Sequence, residues 1–332
     1  MRIAIDAMGG DHAPEKILQG AVDSLDLLDS SDELILVGRP EIIQPWIAGV
    51  STHGPGVRVV AAADVIGMDE SPVEAVRKKR DSSIVKMVKI AAAGDADAII
   101  SAGNTGALVA AGVLMLKGLA GVERPGIACT IPTPHGVVML CDAGANVTPK
   151  PAHLHQYAVL ASVYMQALHH IENPRVGLLN VGTEEEKGTP LIKETRGLLE
   201  KDQSLNFVGY VEGREIFKSV CDVVVTDGFT GNVMLKVIEG INSSFMTMLH
   251  QAAVEHSPTA LADFKPLLSR VTSRYDHEEY GGALLLGVAG LFFKVHGAAG
   301  PRAIRNAVRR AKDAGRLNVN ARIVQRLSPS AV

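Results

Sequence analysis

The stretch that most constrains this chain runs over residues 223–236, Val-Val-Val-Thr-Asp-Gly-Phe-Thr-Gly-Asn-Val-Met-Leu-Lys. Three β-branched residues in succession read as a buried strand. Gly228 and Gly231 then turn the chain around Asp227, Phe229 and Thr230. From Asn232 onward Val233, Val237 and Ile241 recur four apart, a helical spacing. A strand that ends in a glycine turn and opens a helix points backbone N–H groups outward at the helix start. With the helix dipole, those groups suit a phosphate or another developing anion. One such turn specifies little, but this chain repeats the design several times.

Residues 2–8 read as a strand ending in Gly9-Gly10-Asp11-His12. Residues 97–101 form another, ending in Gly103-Asn104-Thr105-Gly106 before an apolar helix. Similar punctuation follows at Asp142-Ala143-Gly144-Ala145-Asn146, at Gly182-Thr183-Glu184 with Lys187-Gly188, and at His296-Gly297. Strands at 126–131 and 136–141 have no helix between them and predict a hairpin. Alternation at this frequency, in a chain with 33 glycines and 47 % apolar residues, predicts an α/β fold: a mainly parallel sheet with helices on both faces. No low-complexity linker or solenoid repeat interrupts it, so residues 1–332 read as one α/β domain. The helix after Asn232 reaches about residue 256. Pro258 breaks it, and a second helix around Pro266 completes a projecting hairpin over residues 233–276. Its tip offers Leu261, Phe264, Leu267 and Leu268 with Lys265, a set suited to a membrane interface if exposed.

Charge and cysteine usage exclude several classes. A net charge of −3 argues against a nucleic-acid binder by bulk electrostatics. Cys129, Cys141 and Cys221 lie in or beside apolar runs without metal-ligand spacing; with the direct entry into a strand at residue 2, they predict a reducing, cytoplasmic setting. No P-loop, dinucleotide fingerprint or nucleophile elbow appears. His153 and His155 face different ways on a helix, so no metal centre is expected.

In open α/β sheets ligands collect at the carboxyl ends of strands, and the polar turns here are expected to share one such edge. Lys187, Asp227, Asn232 and His296 are the groups there able to act on a small anion and a carbonyl. Lysine neutralises phosphate or an oxyanion, asparagine donates to it, and histidine or aspartate moves a proton. Each also has a structural explanation: Lys187 balances Glu184, Glu185 and Glu186, Asp227 holds its turn, and His296 caps a strand. The last helix carries Arg302, Arg305, Arg309, Lys312 and Arg316 at spacings of three and four, a cationic stripe opposite Ile304, Val308 and Ala311. Arg77-Lys78-Lys79-Arg80 is a second basic cluster. Either a solvated surface or an acidic macromolecular partner accounts for them.

Taken together, residues 6–14 (Asp-Ala-Met-Gly-Gly-Asp-His-Ala-Pro), 101–106, 180–188, 226–236, 280–282 and 296–297 resemble the bacterial PlsX family of phosphate acyltransferases along essentially the whole chain. The resemblance implies transfer of a fatty acyl group from acyl carrier protein to inorganic phosphate, giving acyl phosphate for phospholipid synthesis. It implies a three-layer αβα fold like the isocitrate/isopropylmalate dehydrogenases and phosphotransacetylase. It also implies a homodimer joined through the hairpin, peripheral contact with the inner face of the cell membrane, and no cofactor. Under it, Gly103, Asn104, Thr105 and Gly106, with Gly10, Asp11 and His12, hold phosphate together with Lys187. Asn232 steadies the oxyanion, His296 or His12 protonates the leaving thiolate, and the stripe from Arg302 to Arg316 docks the carrier. A metal- and NAD-dependent decarboxylating dehydrogenase on a similar sheet and a non-catalytic carrier scaffold at the membrane are the alternatives.

Overall fold

The computed structural model describes residues 1–50, 54–256, 266 and 277–328. Its strands are β1 (Arg2–Asp6), β2 (Glu33–Gly38), β3 (Gly56–Ala61), β4 (Ala98–Ser101), β5 (Gly126–Thr133), β6 (Gly136–Cys141), β7 (Arg175–Leu179), β8 (Asn206–Val211), β9 (Val223–Val225), β10 (Ala283–Leu286) and β11 (Leu291–Lys294). They form one sheet in the order β3-β2-β1-β4-β11-β10-β5-β6-β9-β7-β8. The helices are α1 (Glu15–Asp23), α2 (Pro40–Ile47), α3 (Pro72–Lys78), α4 (Ser83–Ala92), α5 (Thr105–Met115), α6 (Pro151–Leu168), α7 (Pro190–Lys201), α8 (Gly228–His256), α9 (Pro301–Arg316) and α10 (Val319–Leu327).

Strand side chains alternate between two cores, as the period of two requires. Ile3, Ile5, Leu34, Leu36, Val223 and Val225 face one core, capped by α1, α6, α9 and α10. Ala4, Ile35, Val37 and Val224 face the other, capped by α3, α4 and α5. Burying nearly continuous Val, Ile and Leu on both faces suits a mainly parallel sheet. The match of α9 to α1 is close: a Cβ on Gly20 would stand 2.4 Å from the Pro301 carbonyl oxygen, so only glycine fits there.

Strand direction departs from the expectation of one polar edge. β1, β2, β3, β4 and β11 run parallel. β10 then reverses against β11, β5 against β10 and β6 against β5. β9, β7 and β8 follow β6 in parallel. Three reversals leave the second half antiparallel to the first. The turns after β1, β4 and β11 therefore lie at one edge, and those after β6, β9 and β7 at the other. The predicted hairpin of residues 126–131 and 136–141 is present as β5–β6 and supplies one reversal. β10, between Gly282 and Gly287, supplies the other two; its glycine flanks make it read as a loop in the sequence.

The helix opened by the 223–236 stretch runs over 29 residues, well beyond the ~10–14 usual in globular proteins. Its outer side presents Phe229, Val233, Val237, Ile241, Phe245 and Met248 to solvent. The second arm and tip of the expected hairpin lie outside the described residues.

Candidate active site

Where the sheet changes direction, β11 ends in Lys294. Phe292 and Phe293 before it are fully buried, one in each core. The alternation places Lys294 on the Phe292 side, next to Ser101 in register. Its Nζ donates to the carbonyl oxygens of Ala102, at 3.3 Å, and Val295. Burial, reinforced by the charge of Lys236, pushes Lys294 down to about 8; Asp6, Asp11 and Cys129 oppose the shift.

One wall beside this lysine is the start of α5. Asn104 caps the helix by accepting from the Ala107 N–H at 3.0 Å. Its amide nitrogen donates to the carbonyls of Gly67, Met68 and Glu70, tying down the loop before α3. The N–H groups of Thr105 and Gly106 lie in the first turn, where no intrahelical acceptor exists. Asp6, wholly buried, accepts from Ser101 Oγ at 2.7 Å, and Ser101 Oγ accepts from Gly103 N–H at 3.0 Å, which locks the β4 turn to β1. The Asp11 N–H donates to the Gly297 carbonyl at 2.8 Å, so the turns after β1 and β11 are joined as well.

The facing wall comes from the second half of the sheet. Buried Asp142 accepts from the backbone N–H groups of Ile127, Gly144, Ala145 and Asn146, folding its loop around one carboxylate. Asn146 spends its amide nitrogen on Pro125, Asp142 and Tyr157. The first turn of α8 rests on this loop: Gly228 N–H donates to Asn146 O at 2.8 Å, and a Cβ on Gly231 would stand 1.9 Å from Asp142 O. Asn232 lies over Gly144. Asp227 accepts from Thr230 N–H at 2.9 Å and Thr230 Oγ1 at 2.7 Å, as a helix cap does.

The two walls enclose a cleft of about 140 Å³ lined by Thr105, Cys129, Asn232, Lys236, Glu239, Lys294 and His296, among others. Lys236 pairs with Glu239 at 2.7 Å. Cys129 faces this cleft, but burial pushes its thiol up to about 12, so it carries almost no thiolate at neutral pH.

Of the residues expected from the sequence, Thr105, Asn232 and His296 come together here. Gly103, Gly106, Gly10, Asp11 and His12 sit in the adjoining turns. Asn104 and Asp227 are committed to capping. Lys187 is elsewhere. Its turn follows β7 at the opposite edge, six strands from β4. There it pairs with Glu184 at 2.7 Å, so this chain does not bring it to Gly103–Gly106. The cationic stripe of α9 is paired within the chain, yet Arg302, Arg309 and Arg316 stay exposed and only Lys312 is buried. Lys312 is buried against Asp29 and Asp32, at 2.9 Å each. Arg305 pairs with Asp26, Arg316 with Asp29 and Arg302 with Glu279, while Arg309 donates to the Glu279 carbonyl. Lys312 thus braces α9 against the loop before β2 and offers no docking surface. Local pattern does not mark Lys236 or Lys294 as site residues, although Lys294 is the one charged residue in 283–295.

Comparison with known proteins agrees with this architecture. The family model described as "Fatty acid synthesis protein" matches residues 1–322. The phosphate acyltransferase of Bacillus pumilus is 47 % identical over 328 residues, 98 % of this chain and 97 % of that protein. That of Halothermothrix orenii is 42 % identical over 331 residues, 99 % of each. Among solved structures, a phosphotransacetylase from Streptococcus pyogenes superposes with a TM-score of 0.63 at 16 % identity, covering 95 % of this chain and 94 % of that one, a likeness of fold. The chain belongs to the phosphate acyltransferase family of fatty acid synthesis proteins.

Proposed function

We propose that the Lys294 cleft binds inorganic phosphate and transfers an acyl group to it from a thioester. One observation carries the reading: two lysines, Lys294 and Lys236, and the open first turn of α5 converge on one cleft. Burial, with repulsion from Lys236 added, disfavours the charged form of Lys294. A dianion between them removes that cost. One oxygen of hydrogen phosphate attacks the thioester carbonyl, and the oxyanion of the tetrahedral intermediate accepts from Asn232. The C–S bond breaks, an acyl phosphate C–O bond remains, and the proton of the phosphate ends on the leaving thiol through His296 at the rim. The high pKa of Cys129 favours this direct attack over an acyl-cysteine.

The donor in this reading is acyl carrier protein, an acidic partner. Two basic surfaces fit it: the exposed Arg302, Arg309 and Arg316 of α9, each also paired within the chain, and the second basic cluster, which lies nearer the cleft. Arg77, Lys78 and Arg80 are exposed at the end of α3, a helix that touches the start of α5: a Cβ on Gly106 would stand 2.5 Å from Pro72 Cγ. The exposed apolar stripe of α8 is the surface on which a second copy joins to form a homodimer. Among the described residues no helix is long and apolar enough to cross a membrane. Peripheral membrane contact, placed at Leu261, Phe264, Leu267 and Leu268, concerns residues outside the described set.

The test is phosphate-dependent thioester loss from long-chain acyl carrier protein, with hydroxylamine trapping of acyl phosphate. Hydroxamate that requires phosphate supports the transfer. Thioester loss without phosphate points to a hydrolase, and binding without loss points to a scaffold.

A further inference from the structure

The helix α5, Thr-Gly-Ala-Leu-Val-Ala-Ala-Gly-Val-Leu-Met, carries no charged side chain. A helix that is apolar all round is normally buried. This one leaves Val113 53 % exposed. The exposed strip is one wall of a groove of about 700 Å³, whose other wall combines Pro125, Ala143 and Ala145 with Glu123, Arg124 and Asn146. Thr105, Val109 and Val113 line it at successive turns of the helix. Thr105, Ala143, Asn232 and Lys236 line this groove and the lysine cleft alike, so the two are one continuous depression.

We infer that this groove holds the fatty acyl chain of the thioester donor, extended along α5 from the reacting carbonyl toward Val113. This rests on the transfer reading above. The path from Thr105 to Val113 is eight residues, or about 12 Å of apolar wall. It begins at the helix start that faces the phosphate and ends in the open, as a site for chains of varied length requires. Polar groups share the lining with this apolar wall: Glu123, Arg124 and Asn146 are among them, and Arg124 donates to Asn146 Oδ1 at 3.4 Å. Val113 is then the specificity-determining position for chain length.

The experiment compares kcat/KM for palmitoyl- and butyryl-loaded acyl carrier protein in the unmodified protein and in Val113→Trp. Each buried methylene is worth about fourfold, so an indole that excludes two or three lowers the palmitoyl-to-butyryl ratio by about 15- to 60-fold. An unchanged ratio overturns the assignment. Val113→Asn, which keeps the size and removes the apolar surface, lowers the same ratio and serves if the tryptophan unfolds the chain. Calorimetric binding of palmitoyl carrier protein without phosphate gives the decision independently of turnover: weaker binding by Val113→Trp supports the groove, and equal binding overturns it. Absence of phosphate-dependent product from the unmodified protein is the separate failure of the transfer reading. A changed molecular mass of Val113→Trp by light scattering, with the ratio unchanged, assigns the groove to a second copy and overturns the inference.

Discussion

Replacing Lys294 by methionine keeps the length of the side chain and removes its charge, and two opposite effects follow. The lysine is held at about 8 against an ordinary 10.5, chiefly by burial. At pH 7 it is still about nine-tenths protonated, so the folded state carries a desolvated cation at a cost of about 3 kcal/mol. Methionine removes that cost but leaves the Ala102 and Val295 carbonyls without their donor, each worth about 1 kcal/mol. The variant should therefore match the parent or exceed it by about 1 kcal/mol at pH 7. Between pH 8 and 10.5 the unfolded parent binds a proton that the folded parent has lost, so the parent gains stability as pH rises through that window. Lys294→Met should lack this gain. Phosphate affinity moves the other way. A cation about 4 Å from a phosphate charge at an effective dielectric of about 20 is worth about 4 kcal/mol. Lys236 and the start of α5 remain, so we expect a loss of about 2–4 kcal/mol and a KM for phosphate raised about 30- to 1000-fold. Urea unfolding at pH 7 and 9.5, with phosphate titrations of hydroxamate formation, reads both effects. A variant with the parent's KM for phosphate, or with the parent's pH dependence of stability, would refute the reasoning.

Three further perturbations probe the rest of the site. Cys129→Ala should keep turnover within about threefold, because a thiol held near 12 supplies no nucleophile; a loss beyond a hundredfold would show an acyl-cysteine. Gly231→Ala places a methyl against the Asp142 carbonyl, lifting α8 from its loop and displacing Asn232. It should cost about 2–3 kcal/mol in urea unfolding and at least tenfold in kcat, and wild-type kcat would separate Asn232 from the reaction. Arg77→Glu should raise KM for acyl carrier protein about tenfold at low salt and flatten its salt dependence, while KM for phosphate stays put; an unchanged salt profile places the docking surface elsewhere.

Local chemistry made much of this molecule legible. Val223, Val224 and Val225 signal a strand because β-branched residues fit a pleated, two-sided core, and Gly228 and Gly231 signal its turn because backbone passes close by. The Gly103–Gly106 turn signals the start of α5, which Asn104 caps. What the sequence hid is long-range. Nothing local distinguishes a parallel crossover from the reversal made by β10, so the turn that carries Lys187 looked like a neighbour of those after β4 and β11. Local spacing shows the α9 cations but not their pairing, because Asp26, Asp29 and Asp32 lie some 280 residues earlier. Lys294 was overlooked for the opposite reason: one lysine closing an apolar strand reads as a strand end. Its significance comes from Lys236, 58 positions away and across the cleft.

The central place of β10 and β11 governs how the protein is born. They are the last strands synthesised, yet they lie between β4 and β5 and join the two halves of the sheet. A nascent chain can build β3-β2-β1-β4 and β5-β6-β9-β7-β8 as separate pieces. Until residue 294 leaves the ribosome, β4 and β5 present bare edges, a known route to misassociation. The strand that closes this gap also delivers Lys294. Completion of the sheet and arrival of the charge proposed to bind phosphate are thus one event, and a chain stopped at residue 282 should aggregate and fail to bind phosphate. On the proposed reading, a truncated product of interrupted translation stays inactive because the strand that closes the sheet is also the one that carries the charge.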